Sequence, residues 1–214
     1  MSSYLSFPIS THQYPTQIAT TERHHYSLLI THYSLLITHY SLFMLYIFPT
    51  DLEAQCFREI SPDSRIVVSG VGMVATAAAI MHLVQRGDIT PSEVVVLAGV
   101  AGAYGEDIAI ASVVEVVEER CAELPQRFQQ RYVVEPSTAL PSVVSNTVHG
   151  NGAAAQGAEV ENMEGAALFA LARECGFRAV EIRAISNRVG ESFEKWHLSE
   201  ALDALTQTLQ TLKL

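Results

Sequence analysis

From residue 44 onward, short apolar runs alternate along the chain with longer segments of helical periodicity. The apolar runs predict strands at 45–48, 66–69, 94–98, 108–117, 143–148 and 179–186. The segments with helical periodicity predict helices at 73–85, 163–175 and 199–212. Strands that alternate with helices are typical of an α/β domain with a mostly parallel sheet.

Two glycine-containing segments follow predicted strands. Gly70 and Gly72 turn the chain into the helix at 73–85, and their amides can face a ligand. The third glycine of a dinucleotide loop and the GK[ST] of a triphosphate loop are missing, so we interpret this segment mainly as a tight turn. Residues 99–105 are predicted to form a loop whose glycines let the backbone approach a ligand closely.

The first 43 residues differ from the rest of the chain. The heptad that begins at His25 recurs without change at His32 and starts again at His39. The units are too few for a solenoid and lack the charge pattern of a coiled coil. No charged residue lies between Arg23 and Asp51, which is compatible with a membrane span, but each unit contains His, Tyr and Ser or Thr. We expect residues 1–43 to be a disordered or non-native extension and residues 44–214 to form the catalytic domain.

The composition narrows the possible partners and the compartment. The chain has 13 Lys and Arg against 23 Asp and Glu, a net charge of −10, and no basic cluster. We therefore expect neither a nucleic-acid partner nor a membrane partner. The three cysteines are scattered without a CxxC pair, which argues against a disulfide framework or a zinc site. Reduced thiols of this kind are typical of a cytoplasmic protein.

Two carboxylates stand next to predicted strand ends. Glu53 follows the first strand and can act as a general base on water, although it can equally begin a solvated helical turn. Glu164 opens an otherwise apolar helix, where a carboxylate also complements the helix dipole. In a binding site it would instead accept hydrogen bonds from two vicinal sugar hydroxyls.

A Ser186–Asn187 pair ends the last predicted strand. The amide of Asn187 can accept a hydrogen bond from a protonated ring nitrogen and donate one to a neighbouring carbonyl, which matches N7 and O6 of a 6-oxopurine. An aspartate at this position would suit a 6-aminopurine instead. Asn187 can also be a simple strand-end cap. In the polar turn at 146–151, His149 is either a ligand contact or a structural residue.

Five segments, taken in order, resemble a known family. They are residues 70–77, 98–102, 146–151, 161–167 and 183–187, and together they resemble the futalosine hydrolases of the nucleoside phosphorylase and methylthioadenosine nucleosidase superfamily. The resemblance covers Met44 to about Leu214. It implies a single nucleoside phosphorylase-like α/β domain with a mixed, mostly parallel central sheet flanked by helices. It also implies a homodimer whose partner closes part of the pocket, and neither a metal nor another cofactor.

The resemblance further implies hydrolysis of the N-glycosidic bond of futalosine, a step of menaquinone biosynthesis that yields hypoxanthine and dehypoxanthine futalosine. Glu53 would orient or deprotonate water, Glu164 would hold the ribose hydroxyls, and Asn187 would assist the departing purine at N7. The residues that would contact the substrate are Met163 at the ribose, Val148 and His149 beside the base, and Gly72, Ala101, Gly102 and Ser186. Carboxylates near the sugar would stabilise an oxocarbenium-like transition state.

Two departures from the family and several competing functions stay open. Residues 118–145 look shorter than is usual in the family, whereas Asn187 in place of the aspartate of adenine-specific nucleosidases supports a hypoxanthine substrate. A nucleoside phosphorylase would need a basic phosphate clamp, and the only candidates near the glycine segments are Arg65 and Arg183. The sequence is also compatible with a nucleosidase of different preference, an inactive nucleoside-binding homologue or a membrane-anchored protein.

Overall fold

A computed structural model describes residues 44–150 and 152–214 of the chain. The predicted extension at 1–43 and residue 151 of the predicted polar turn lie outside the described residues. The strands are β1 (Met44–Phe48), β2 (Arg65–Val68), β3 (Val94–Ala103), β4 (Val113–Cys121), β5 (Arg131–Val133), β6 (Ser142–Thr147), β7 (Val160–Asn162) and β8 (Arg178–Arg188). The helices are α1 (Asp51–Ile60), α2 (Met73–Arg86), α3 (Gly165–Cys175) and α4 (Leu198–Thr211), with short 3₁₀ turns at Gln126–Phe128 and Phe193–Lys195.

The eight strands form one mixed sheet that closes partly on itself. Its order is β2-β1-β3-β7-β6-β4-β5, and β8 pairs with both β3 and β4. Parallel pairs are β1 with β2 and β3, β3 with β8, and β6 with β4 and β7. Antiparallel pairs join β7 to β3 and join β5 and β8 to β4. The predicted α/β domain with a mixed, mostly parallel sheet and flanking helices is confirmed.

Helices cover both faces of the sheet because its central strands are apolar on both sides. On one face Val95 and Leu97 of β3 belong to a core cluster with α2 and α3. On the other face Val96 and Ala98 belong to a cluster with α1 and α4. Gly87 ends α2 in a left-handed conformation with φ of 78°, which only glycine adopts at little cost.

Two predictions about the central strands were wrong. The segment at 99–105 is not a loop throughout, because β3 continues to Ala103 and pairs with β8 along its whole length. The strand predicted at 108–117 begins only at Val113 and extends to Cys121, after a turn in which Ala111 has φ of 62°. Local composition favoured a loop for a glycine- and alanine-rich run, whereas pairing with β8 makes it a buried strand.

Three elements were not predicted. Helix α1 is mostly polar and buries only Glu53, Ala54 and Phe57, so its apolar stripe is narrow. Strands β5 and β7 have three residues each, too few for a periodic signal. Strand β7 matters for function because it brings residues 160–162 beside the carboxyl end of β3.

Candidate functional site

A cavity of about 330 Å³ lies where β3, β7 and β8 meet the loops that follow β1 and β8. This volume is within the range of small-molecule sites in proteins. Eight residues predicted to form the site line it: Glu53, Ala101, Gly102, Val148, Met163, Glu164, Ser186 and Asn187. Its apolar wall includes Leu52, Val71, Phe193 and Trp196, and the last two rings pack 5.2 Å apart between centroids. The cavity is therefore apolar with a few polar groups that converge on it.

Glu53 lies in the first turn of α1, yet only 7% of it is exposed. The hydroxyl of Thr50, the N-cap residue, accepts from the Glu53 amide (3.2 Å) and donates to Glu53 Oε2 (2.7 Å). The Val100 amide donates to Oε1 (3.0 Å), which fixes the carboxylate against the end of β3. Burial raises the pKa of Glu53 despite these hydrogen bonds. A buried carboxyl with a raised pKa suits proton abstraction from water better than a solvated one.

Glu164 is the residue before α3, but its side chain does not cap the helix. The first free amides of α3 are satisfied by other side chains, since Asn162 Oδ1 accepts from the Glu164 and Gly165 amides (2.8 Å each). Thr147 Oγ1 accepts from the Ala166 amide (2.8 Å). The Glu164 carboxylate, 3% exposed, is thus available to the cavity rather than used as a cap.

The two oxygens of Glu164 are held by donors from distant segments. The Gly72 amide donates to Oε1 (2.9 Å), and Arg183 Nη2 donates to Oε2 (3.2 Å). Gly72, which was expected to contact the substrate, is not among the residues that line the cavity. Its amide instead contacts the carboxylate of Glu164, which was expected to bind the ribose. Each oxygen keeps acceptor capacity for a further donor such as a sugar hydroxyl.

Arg183 is the buried cation of the site, although the sequence suggested it only as a phosphate ligand. It is fully buried, and Nε donates to Glu181 Oε1 (2.8 Å) while Nη2 also donates to Asn162 Oδ1 (2.9 Å). Burial alone would lower the pKa of the guanidinium, but the charges of Glu181 and Glu164 outweigh it and raise the pKa. Arg183 is therefore a permanent positive charge that orients Glu164.

A second pair of buried carboxyls, Glu119 and Glu181, lies next to Gly165. A Cβ atom placed on Gly165 would clash with both Glu119 Oε1 and Glu181 Oε2, so the two oxygens meet at this glycine. Burial raises the pKa of both groups, and for Glu181 the charge of Glu119 raises it further. Glu181 Oε2 has no hydrogen-bond partner among the described residues. We therefore expect this pair to hold a proton to higher pH than solvated carboxyls do.

Asn187 and Ser186 stand at the end of β8 and are nearly fully buried. Ser186 Oγ donates to Asn187 Oδ1 (2.8 Å), and Asn187 Nδ2 donates to the Arg188 carbonyl (2.9 Å). These bonds fix the amide and leave one acceptor position on Oδ1 and one hydrogen on Nδ2. The amide therefore has the donor and acceptor that recognition of N7 and O6 requires.

His149 is not among the residues that line the cavity, whereas Glu161 is. His149, which was expected beside the base, is exposed, its ring pairs with Glu123, and it is not among the residues that line the cavity. Glu161 was not predicted as a site residue, yet it lines the cavity and is 5% exposed. Its signal in the sequence was weak, because it precedes the Glu164 motif in a strand of three residues.

No basic residue is among those that line the described cavity. Arg183 is engaged by two carboxylates, and Arg65 pairs with Glu93 (2.9 Å) and the Asp88 carbonyl (2.5 Å). A phosphate co-substrate would need such a cation at the sugar. The arrangement therefore favours water over phosphate as the nucleophile.

Comparisons with known proteins agree with the predicted family. The profile of the phosphorylase superfamily matches residues 152–213. Futalosine hydrolase from Thermus thermophilus is 29% identical over 179 residues, covering 67% of this chain and 78% of that protein. The alignment spans 179 positions, but the part of this chain that it covers, 67% of 214 residues, is shorter than that. The relative therefore has residues that align with gaps in this chain.

Solved structures share the fold. The 5′-methylthioadenosine/S-adenosylhomocysteine nucleosidase of Helicobacter pylori superposes with a TM-score of 0.66 at 14% identity, covering 78% of this chain and 96% of that one. The nucleosidase of Colwellia psychrerythraea in complex with adenine gives 0.65 at 17% identity, covering 79% and 93%. A futalosine hydrolase mutant of Helicobacter pylori gives 0.64 at 14% identity, covering 78% and 96%. The predicted resemblance is confirmed, and the relatives' names agree with the predicted class of N-glycosyl hydrolase.

Membrane and metal signals are missing from the part of the chain that the structure describes. No helix among these residues is long and apolar enough to cross a membrane. Within the same residues, no group of three or more His, Cys, Asp or Glu side chains is arranged to hold a metal ion. The cysteines Cys56, Cys121 and Cys175 are free.

Proposed function

We propose that the protein hydrolyses the N-glycosidic bond of a purine nucleoside, with futalosine as substrate and hypoxanthine and dehypoxanthine futalosine as products. The observation that carries the proposal is one cavity lined by the buried carboxylates of Glu53 and Glu164 and the amide of Asn187, with no basic residue among its described lining. The futalosine hydrolase relative supports the choice of substrate. The reaction would then serve menaquinone biosynthesis.

Glu164 binds the ribose in this proposal. Its oxygens accept from the Gly72 amide and from Arg183, so the carboxylate is held in place before substrate arrives. The remaining acceptor positions take the vicinal hydroxyls of the sugar. When the glycosidic bond lengthens, the ribose gains positive charge, and the negative charge of Glu164 stabilises that state more than the ground state.

Glu53 activates the water. Its Oε2 accepts from Thr50 and its Oε1 accepts from the Val100 amide, so the carboxylate is fixed at the end of β3. In its ionised form it accepts a proton from water as the oxygen attacks the anomeric carbon. As the bond between the anomeric carbon and the base breaks, N7 of the base takes up a proton from solvent, and Glu53 later returns the proton of the attacking water to solvent. Asn187 stabilises the departing base, since Oδ1 accepts from the N7–H and Nδ2 donates to O6. No metal or cofactor takes part in the proposed steps.

The test is release of hypoxanthine from futalosine by the full-length protein, measured by chromatography. We expect Glu164→Gln and Glu53→Gln to lower kcat/KM by about 10²-fold or more, the scale of removing a general base or a charge that stabilises the transition state. The matched control is Glu174→Gln on the exposed side of α3, where the side chain is 66% exposed. Equal activity of all three variants would contradict the proposed roles.

We also propose that the enzyme acts in the cytoplasm as a homodimer. The support for the dimer is apolar surface next to the cavity, where Val71 is 54% exposed, Val74 77% and Phe193 65%. A second copy that covers this surface would complete the cavity wall. Light scattering of the full chain tests it: Val74→Glu should convert a dimer to a monomer, and a monomeric wild-type protein would contradict it.

A further inference from the structure

The buried carboxyls of Glu119 on β4 and Glu181 on β8 face each other at Gly165, the first residue of α3. A Cβ atom on Gly165 would clash with Glu119 Oε1 and with Glu181 Oε2, so the two oxygens come close only because this residue has no side chain. Both carboxyls are 0% exposed. Two negative charges this close together and away from solvent would repel each other strongly, so one of the carboxyls must be neutralised.

The hydrogen-bond partners of Glu119 identify it as the ionised member of the pair. Thr147 Oγ1 accepts from the Ala166 amide (2.8 Å), so its single hydrogen is directed to Glu119 Oε2 (2.6 Å). Asn162 Oδ1 accepts from two backbone amides, so its Nδ2 is the group that donates to Glu119 Oε1. Because backbone amides can only donate, neither direction can be reversed. Both oxygens of Glu119 therefore act as acceptors, as in a carboxylate.

Glu181 has a different pattern of partners. Arg183 Nε donates to its Oε1 (2.8 Å), whereas its Oε2 has no hydrogen-bond partner among the described residues. A buried carboxylate oxygen without a donor is costly, but an O–H at the same position becomes a donor that needs an acceptor. The acceptor that Oε2 meets at Gly165 is Glu119 Oε1, which keeps a second acceptor position beside its bond to Asn162.

We propose that Glu181 carries a proton on Oε2, donates it in a hydrogen bond to Glu119 Oε1, and in this neutral form positions Arg183 for Glu164. Arg183 contacts two carboxyls, with 2.8 Å from Nε to Glu181 Oε1 and 3.2 Å from Nη2 to Glu164 Oε2. An ionised Glu181 would be the nearer counter-ion and would compete for the charge of the guanidinium. A neutral Glu181 still accepts from Nε, so the positive charge stays with Glu164. The positioning role rests on the proposed function, in which Glu164 binds the ribose, whereas the proton does not.

The charges around the pair favour one retained proton. The titratable groups that interact with the pair or with Arg183 are Glu164 before α3, Glu53 on α1, Cys121 on β4 and Tyr104 after β3. Among the buried residues that the structure describes, Arg183 is the one Lys or Arg, against several carboxyls. Burial and the charge of Glu119 raise the pKa of Glu181 well above its ordinary 4.5. A rising pH therefore removes the proton, and the added negative charge then weakens the hold of Arg183 on Glu164.

Infrared spectroscopy of the full-length protein tests the proton without any substrate. A protonated buried carboxyl gives a C=O band apart from those of carboxylates and amides, and the wild type is compared with Glu181→Gln at pH 6. We expect such a band in the wild type that is missing in Glu181→Gln and kept in Glu174→Gln, whose position is exposed. A folded wild type without any such band overturns the inference, and so does one whose bands equal those of Glu181→Gln.

Hypoxanthine release tests the positioning role by comparing two uncharged replacements. In Glu181→Gln the amide oxygen can accept from Arg183 Nε and the NH2 group can donate to Glu119 Oε1, as the protonated acid does. Glu181→Leu is also uncharged but makes neither bond. We expect kcat/KM to be higher in Glu181→Gln than in Glu181→Leu by about 10-fold or more, the range for a hydrogen bond to a charged group. Equal kcat/KM values in the two folded variants overturn the positioning role, because an anion would be lost equally in both.

The pH profile covers the case in which Glu181→Leu does not fold. In the wild type kcat/KM should fall with rising pH as the infrared band of Glu181 titrates away. Glu181→Gln cannot lose this proton and should lack that fall. A band that titrates away without any fall in kcat/KM, or a fall of the same size in Glu181→Gln, overturns the positioning role.

The outcomes separate this inference from the proposed function. A folded wild type that releases no hypoxanthine contradicts the proposed reaction, while a band that depends on Glu181 still supports the buried proton. Hypoxanthine release together with identical infrared spectra of the wild type and Glu181→Gln leaves the hydrolase standing and removes the role of Glu181.

Discussion

The substitution Gly99→Ala tests how closely the catalytic groups are packed. A Cβ atom at residue 99 would lie 2.8 Å from Arg183 Nη1, 2.8 Å from Glu53 Oε1 and 3.3 Å from Pro49 Cδ. Ordinary contacts to a Cβ atom begin near 3.4 Å, so both charged groups must move by about 0.6 Å or more. Neither can move freely, because Glu53 Oε1 is bonded to the Val100 amide and Arg183 is bonded to Glu181.

The expected effect is larger on catalysis than on stability. Displacement of a catalytic group by up to 1 Å can cost about 10²-fold, so we expect kcat/KM for hypoxanthine release to fall by about 30- to 100-fold. Overpacking of this kind costs about 1–3 kcal/mol of unfolding free energy. For a chain of this size that corresponds to a fall in Tm of about 2–12 °C.

The matched control is Gly105→Ala. Its Cβ atom would meet only Asp107, at 3.7 and 3.9 Å, which are ordinary contacts. Activity is measured as kcat/KM and stability as Tm by calorimetry for both variants. A Gly99→Ala protein with wild-type kcat/KM would refute the reasoning, and so would equal losses in the two variants.

Three further predictions concern specificity and pH. Asn187→Asp should lower kcat/KM for futalosine by about 10-fold or more and reduce the preference for hypoxanthine over adenine, because an ionised aspartate cannot donate to O6; competition assays with both bases measure it, and an unchanged preference would contradict it. Because burial raises the pKa of Glu53 above its ordinary 4.5, kcat/KM should fall as the pH decreases through that raised pKa. A pH–rate profile in which kcat/KM falls only at pH 4.5 or below would count against Glu53 as the base. Burial and the charge of Glu119 raise the pKa of Glu181, so the folded state holds that proton more tightly than the unfolded state does. The resulting stabilisation is fully present below the ordinary pKa of 4.5 and is lost as the pH rises through the raised pKa. Urea unfolding at pH 5 and pH 8 should therefore show a smaller loss of stability in Glu181→Gln than in the wild type, and an equal loss would argue against the buried proton.

Local patterns in the sequence predicted most of the central architecture. Continuous apolar runs and Ala-rich periodic segments indicated β1, β8, α2 and α4 within a few residues, because burial on both sheet faces or on one helix face determines these patterns. The extension of β3 through Gly99 and Gly102 was missed. Glycine there has no local preference for a strand, and what makes the strand is pairing with β8, more than eighty residues away.

The site was predictable where a polar residue interrupts an apolar element. Glu164 and Asn187 are of this kind, and both line the cavity. Glu161 was missed because its partners, Gly102 and Tyr104, come from a remote segment of the chain. The role of Arg183 was missed for the same reason, since its partners are Glu164 and the carbonyl of Val100. A charge inside an apolar strand, as at Glu181 and Arg183, is the signal that a buried ion pair leaves in a sequence.

The most direct test of the central claim is hypoxanthine release from futalosine by the full-length protein in buffers with and without phosphate. We predict release at the same rate in both buffers, because the residues lining the described cavity offer carboxylates and an amide but no cation for phosphate. Release that requires phosphate would make the protein a phosphorylase. No release in either buffer from a folded protein would contradict the proposed reaction.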